Sequence, residues 1–502
     1  MTHLLNRKNI IILFIVAALL VTSYFLLLNP KAVWRKDNVN AVTDQSIAVL
    51  PFENMSNDTS QQYFSDGLAE GVRNSLAHVN GLKVCASSSS FQFRRKDVDI
   101  KEAGRKLGVH TILKASVQHQ GDSVRVTAQL INVEDGFQLW LEQYDENMEN
   151  VFSLQDKIAN AIAEKLKMGL LENEQQSLAK KLIPNKEAYD LYLKGRSSWN
   201  LRTPPDLRKG IDFFQQAIAL EPSYAAAYSG IADCYTALGY GSFMAPKEAF
   251  PKALEAATKA LELDSTLAEP HASLAYYRFY YDWDWAAAEQ EFRTAISLNP
   301  NYVFGYDWYG VYLTAMKRYD EARIILKKAS ELDPLSAQIS TDMGFSIYYS
   351  GDYDKAIKEL QATIKINPRF GLAHLWLGRA YQQKKMYTEA VAEYENTLAA
   401  ISNWPVALAA IGNVYGVSGK KEEAQRILDT LSSLSSGRFV TSYGVALIHS
   451  AMGENDQTFL WLDKAFQERS NWLVWLETDP RWNSIRSDKR FAELVKKVGL
   501  PE

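Results

Sequence analysis

Residues 300–334 read PNYVFGYDWYGVYLTAMKRYDEARIILKKASELDP, and the reading of the whole chain starts from their spacing. Tyr306, Tyr309, Gly310 and Leu313 recur at threes and fours, which predicts one helix with a single apolar face. Ala322, Leu326 and Ala329 predict a second helix, and Pro334 ends it. Pro300, Pro334 and Pro368 stand 34 residues apart, and Ser402 continues the step. The pattern returns as His374, Leu377, Gly378 and Tyr381 before Ala390, Tyr394 and Thr397. It returns again as Leu408, Ile411, Gly412 and Tyr415 before Ala424 and Leu428. Glycine or alanine at the crossing lets the two backbones approach closely.

A period of 34 with small residues at the crossing and proline after the second helix is that of a tetratricopeptide unit. Upstream, Tyr228, Ile231, Ala232 and Tyr235 pair with Ala253, Ala257 and Ala260, with a connection (239–250, containing Pro246) read as nine residues longer. Another unit reads Leu274, Ala275, Arg278, Ala288, Phe292, Ala295 and Pro300. The first unit uses Gly195, Gly210, Phe214, Ala217 and Pro222, with Thr203-Pro204-Pro205 in a lengthened turn. The last is degenerate: Val445, Ala446, Leu462 and Ala465. Seven to eight units are expected over 185–470, closed by a capping segment at 471–502. The array resembles the tetratricopeptide family, although Ser265, Thr363 and Ser402 depart from its preferred residues. The aromatics at 276–285 (Tyr276, Tyr277, Phe279, Tyr280, Tyr281, Trp283, Trp285) are expected to fill the interface between helix pairs. Phe345, Tyr348, Tyr349 and Arg379 fall on the inner face and are the candidate groove for a protein or peptide partner of unknown identity.

At the other end, nine residues precede an uncharged, mostly apolar run from Ile10 to Leu28. As a helix it would cover about 28 Å, close to the roughly 30 Å of a bilayer's hydrocarbon core. No small-x-small site follows Leu28 and no cysteine lies nearby, so the run reads as an uncleaved transmembrane anchor, with 1–9 a short cytoplasmic terminus and 29–44 a linker. Arg7 and Lys8 precede it while Lys31, Arg35 and Lys36 follow, so charge bias assigns no orientation.

Between anchor and array, residues 45–175 read as an α/β domain. Ser46-Ile-Ala-Val-Leu-Pro-Phe predicts a strand, and 64–77 an amphipathic helix with Ser65 or Asp66 as its cap. Residues 82–86 predict a second strand, and 100–107 a helix stopped by Gly108. Residues 111–118 and 123–132 alternate around Gln120-Gly121-Asp122-Ser123, a hairpin signal, before a last strand at 137–144 and a closing helix at 152–171. Ser87–Ser90 reads as a loop, and Asp66-Gly67 as a helix opening. The stretches IAVLPFENMSND, YFSDGLAEGVRNSL, LGVHTILKASVQHQGDSVRVTAQLINVEDGFQLW and YDENMENVFSLQDKIANAIAEKL resemble a TolB-like amino-terminal domain. YDWDWAAAEQEFRTAISLNPNY and DPRWNSIRSDKRFAELVKKVGLP are similar to the array and tail of the same architecture. Ala86-Ser87-Ser88 and Lys114-Ala115-Ser116 depart from it.

The resemblance implies a bacterial, inner-membrane protein with its bulk outside the cytoplasm. Its relatives carry a winged-helix, kinase or cyclase effector, for which nine residues leave no room. Composition only excludes: 47% hydrophobic, 23% charged and a net charge of −4 are ordinary for a globular chain and give no sign of a nucleic-acid binder. Two cysteines and seven scattered histidines exclude a disulfide framework and zinc-binding patterns. Gly419-Lys420 lacks the upstream glycine of a phosphate loop, and no HExxH or GxSxG occurs. The expectation is a scaffold with no catalytic residues, metal or cofactor. The alternative is a small-molecule sensor acting through the α/β domain on a separately encoded effector.

Overall fold

The computed structural model describes residues 45–56, 62–79, 81–94, 98–120, 123–147, 151–166 and 185–500. The expected anchor at 10–28 and its flanks lie outside them. Among the described residues, no helix is long and apolar enough to cross a membrane.

The amino-terminal region is a mixed sheet in the order β3-β1-β4-β5-β6. Strand β1 (Ser46–Val49) runs parallel to β3 (Lys83–Val84) and β4 (Thr111–Gln120), and the short β2 (Glu53–Asn54) also pairs with β4. Strands β5 (Ser123–Asn132) and β6 (Gln138–Asn147) complete an antiparallel meander. Helices α1 (Gln62–Ala77) and α4 (Val151–Lys165) cover one face, where Leu68, Val72 and Leu76 meet Val126, Leu130, Ile158 and Ile162. On the other face lies α3 (Ile100–Leu107), with Ala103 and Leu107 against Ala48 and Ile112. Asp99 caps α3 by accepting from the backbone of Lys101 and Glu102, and Gly108 ends it at φ 62°. Helix α1 begins at Gln62, so Ser65 and Asp66 lie inside it rather than capping it. The Asp66 carboxylate accepts two bonds from Arg94, at 2.7 and 2.8 Å.

The rest is a helical solenoid of tetratricopeptide type, and the described residues contain eight helix pairs. They are α5 (Lys186–Leu201) with α6 (Pro204–Leu220), α7 (Ala225–Tyr240) with α8 (Pro246–Leu263), and α9 (Glu269–Tyr277) with α10 (Trp285–Leu298). Next come α11 (Val303–Ala315) with α12 (Tyr319–Leu332), α13 (Ala337–Tyr349) with α14 (Tyr353–Ile366), and α15 (Gly371–Gln383) with α16 (Tyr387–Ala400). The last are α17 (Pro405–Val417) with α18 (Lys421–Leu434), and α19 (Ser442–Met452) with α20 (Asn455–Gln467). The crossing glycines are forced by space. A Cβ at Gly310, Gly344 or Gly378 would stand 2.5, 2.7 or 2.6 Å from Leu326, Leu360 or Tyr394.

Two turn lengths differ from expectation. Pro204 and Pro205 open α6 instead of lengthening a loop, because a proline in the first turn loses no helical hydrogen bond. In the second unit α7 continues to Tyr240 and α8 starts at Pro246, so most of the extra residues lengthen helices. The 276–285 aromatics pack as expected: Tyr276 meets Trp308 at 4.2 Å between ring centroids, and Phe279 meets Tyr280 at 4.2 Å.

The α/β region is not separate from the array. Tyr189 and Leu193 of α5 enter the sheet's core, close enough that a Cβ at Gly67 would meet Leu193 at 2.2 Å. Asn301, next to Pro300, accepts from the Val84 amide at 2.9 Å and donates to the carbonyls of Ala77 and Leu82, both at 3.0 Å. Ser87–Ser90, expected as a loop, forms the helical turn α2, and Ser88 and Ser89 donate to the Asp333 carboxylate. The Ala86 amide also donates to Leu332 O at 2.9 Å. Two successive repeat turns therefore grip the same edge of the sheet.

Candidate functional site: the concave face of the array

Helices α11, α13, α15 and α17 are buried almost all round, whereas α12, α14, α16 and α18 bury only a narrow stripe. The first helix of each pair therefore lines the inside of the superhelix, and the second forms its skin. The four candidate residues lie on that inner lining, but they do not face an open groove. Phe345, Tyr348, Tyr349 and Arg379 are only 3, 1, 5 and 2% exposed. What covers them is the chain's own carboxy terminus.

After α20 the chain enters a 3₁₀ turn at Asn471–Trp475 and another at Pro480–Trp482, then ends in α21 (Lys489–Val498). Trp475 stacks on Tyr349 with centroids 4.5 Å apart and planes at 16°, and meets Phe345 edge-on at 4.9 Å. Arg379 lies between Trp376 and Trp472, 4.2 and 4.8 Å from their centroids. Phe279 from the third pair also reaches Trp475, at 6.3 Å. The segment expected merely to cap the last repeat thus fills the concave face as a bound peptide would, with tryptophans as anchors.

The same segment closes the superhelix. Trp472 Nε1 donates to Ser242 Oγ at 3.1 Å, and Asn471 Nδ2 to Tyr240 O at 2.9 Å. From the seventh pair, Trp404 Nε1 donates to Gly241 O at 3.0 Å while its ring stacks on Phe243 at 5.5 Å. The loop after α7 therefore touches repeats far along the array.

A buried ion pair holds the segment's middle. Arg481 and Asp479, 2 and 0% exposed in their side chains, meet at 2.6 Å. Tyr443 donates to Asp479 at 3.1 Å, and Trp482 Nε1 donates to Tyr443 Oη at 2.7 Å. Burial alone would raise the Asp479 carboxyl's pKa, but the charge and hydrogen bonds of Arg481 outweigh it and hold the group below its ordinary range. The Arg379 pKa is also lowered, by burial first and then by the like charge of Arg481, which in its case disfavours the charged form, and its Nε and Nη1 have no hydrogen-bond partner.

Farther along the lining, Asp307 and Asp342 of adjacent pairs are 0 and 3% exposed. Burial raises both pKa values, and the nearby Asp342 carboxyl raises that of Asp307 further, while neither Asp307 oxygen has a hydrogen-bond partner. Gln338 donates to Asp342 at 2.7 Å. A carboxyl whose folded pKa lies above its unfolded value of about 3.9 keeps a proton that the unfolded chain releases, so the pair weakens the fold as pH rises above ~4. Asp342→Asn should therefore stabilise the protein more at pH 8 than at pH 5. Equal melting-temperature changes at the two pH values would refute the raised pKa of Asp342.

Among the described residues, no group of three or more His, Cys, Asp and Glu is placed to hold a metal. Cys85 and Cys234 are buried free thiols whose pKa values burial raises. The tail's role escaped the sequence reading, although its signal was present: Trp472, Trp475 and Trp482 fall within a short stretch of what was read as a capping terminus.

Comparison with known proteins agrees with this architecture. Tetratricopeptide repeat profiles match residues 305–334 and 346–405. The profile of the HilA/YgeH-like transcriptional regulator, second domain, matches residues 43–161. The chain is 32% identical over 238 residues to "Putative adenylate cyclase 3" of Rhizobium meliloti (strain 1021), covering 46% of this chain and 39% of that one. It is 22% identical over 340 residues to the transcriptional regulator HilA of Salmonella typhimurium, covering 67% of this chain and 54% of that one. The chain thus spans about half or less of the length of these curated relatives. Among solved structures, Pseudomonas aeruginosa PilF aligns over 42% of this chain and 94% of its own, with 22% identity and a TM-score of 0.31. The carboxy-terminal part of the chain thus carries tetratricopeptide repeats.

Proposed function

We propose that this chain is a membrane-anchored scaffold of the bacterial envelope, in which the array recognises a protein partner and the α/β region, TolB-like by resemblance, sets its position. One observation supports the reading above others: the concave face already holds a tryptophan-anchored segment, between Tyr349, Phe345 and Arg379. A surface that seats Trp475 and Trp472 is built for an extended, aromatic peptide. A partner using this face competes with the tail. In this reading the apolar run at 10–28 is the anchor, and the TolB-like resemblance supports a bulk that lies outside the cytoplasm of a bacterial inner membrane. The relatives' names speak of a cyclase and a transcriptional regulator, so signalling is the proposed setting. No catalytic step belongs to this reading.

The test uses the full chain with a tag after Glu502. External protease should remove the tag from spheroplasts while a cytoplasmic control survives, and mild detergent extraction should co-purify a partner in fixed stoichiometry. A protected tag overturns the placement, and a chain purified without any stoichiometric protein overturns the scaffold.

A further inference from the structure

Four side chains on the inner side of the first four helix pairs carry polar atoms that are sealed from solvent and bond to no described residue. They are Trp199 Nε1, Arg202 Nη2, Tyr302 Oη and both carboxyl oxygens of Asp307. Buried polar groups of native proteins nearly always have partners, so a cluster without them asks for one. These four form a cluster around Phe304. The Arg202 guanidinium lies 3.6 Å from the Trp199 ring centroid and 4.5 Å from that of Phe304. Trp199 and Tyr302 meet the same Phe304 ring at 5.1 and 6.2 Å. Asp307 follows Phe304 by three positions, so both lie on one face of α11, about 5–6 Å apart at Cβ. Arg202 and Phe304 are half-buried and form the mouth, while Asp307 is fully buried behind them. The charge of Arg202 is felt by Asp307 and by Asp342 of α13, yet no hydrogen bond joins Arg202 to Asp307. Asp233, the other carboxylate near Arg202, is already answered by Arg196 and Ser273, both at 3.0 Å.

We propose that this site binds a small zwitterion, an α-amino acid, whose carboxylate meets Arg202 and Trp199 Nε1 and whose ammonium meets Asp307. The class follows from what each end can bond. A guanidinium and an indole N–H only donate, so the mouth calls for an acceptor, and a carboxylate is the acceptor that also answers the charge. Behind it, burial disfavours charge on Asp307 and Asp342, and a cationic donor beside them restores it. The rings of Phe304 and Trp199 offer apolar surface to the carbon skeleton between the two charges. A simple anion would leave Asp307 unanswered, and a metal ion would leave Arg202 so. Water brings no charge to either end. Trp472 and Trp475 seat on other residues, Tyr349, Phe345 and Arg379, so this binding stands or falls apart from that of a protein partner.

The test melts the full chain, kept in detergent, with each standard L-amino acid in turn at about 10 mM. At least one should raise the melting temperature in a dose-dependent way, because a ligand of the folded state stabilises it. The decarboxylated amine and the N-acetyl derivative of that amino acid each lack one charge, and each should bind roughly 10-fold more weakly or worse. Asp307→Asn keeps the shape and removes the charge, and should abolish the shift; Arg202→Gln should do the same from the mouth. The comparison of derivatives needs no variant, so it decides even where a substitution unfolds the chain. A panel in which no amino acid moves the melting temperature overturns the proposal and leaves the site to water. A shift that the N-acetyl derivative reproduces, or one that survives in folded Asp307→Asn, overturns it equally.

Discussion

Trp475→Ala should release the carboxy-terminal segment while the repeats stay folded. The indole sits between Tyr349, Phe345 and Phe279, at 4.5, 4.9 and 6.3 Å, and is 2% exposed. Truncating a buried tryptophan costs about 3–5 kcal/mol. That cost falls on the segment first, because each repeat is held chiefly by its immediate neighbours, whereas 471–482 crosses the inside to reach several of them. Amide exchange at 471–482 should then quicken by roughly 10²- to 5 × 10³-fold, the factor corresponding to that energy. Exchange in α5 and α6, which the segment does not touch through Trp475, should hardly change. A synthetic peptide copying residues 471–486 should bind the variant more tightly than the unaltered chain. Acceleration spread evenly over every helix would show a single cooperative unit, and no acceleration would show that Trp475 is not the anchor.

How much of this was legible beforehand follows from the range of each interaction. The helix pairs were visible because their determinants are local: Gly310, Leu326 and Pro334 sit within one unit and recur in the next. The same holds for α3, whose end at Gly108 needs only a residue tolerant of φ 62°. The candidate residues Phe345, Tyr348, Tyr349 and Arg379 were assigned to the inner face from helical period alone. Their covering was not legible, because Trp475 and Tyr349 are brought together by the superhelical path and not by any spacing. The joint between the sheet and the array was hidden for the same reason. Ser89 and Asp333 lie 244 positions apart, so Ser87–Ser90 read alone is a polar run with no partner. A buried pair of carboxyls such as Asp307 and Asp342 also needs the fold, since in sequence each is one acid on a helix.

Asp479→Ala tests the centre of the tail, and its effect should match that of Trp475→Ala. Asp479 is the carboxylate that answers Arg481, through contacts of 2.6 to 3.1 Å, and it sits near the buried Arg379, whose pKa it raises. Removing one partner of a buried ion pair costs about 3–5 kcal/mol, because the remaining charge keeps its desolvation cost. Here two guanidiniums would be left facing each other without a counter-ion. If that is the cause, Asp479→Ala with Arg481→Ala should lose less than the sum of the single changes, and a double-mutant cycle measures the difference. The acid limb offers a second readout. Since the folded carboxyl titrates below its unfolded value of about 3.9, its stabilisation is present at neutral pH. It is lost as pH falls through the folded value. Urea midpoints of the unaltered chain and Asp479→Ala should therefore lie far apart at pH 7 and draw together toward pH 3. A gap that stays constant would mean that packing, and not the buried charge, carries the contribution.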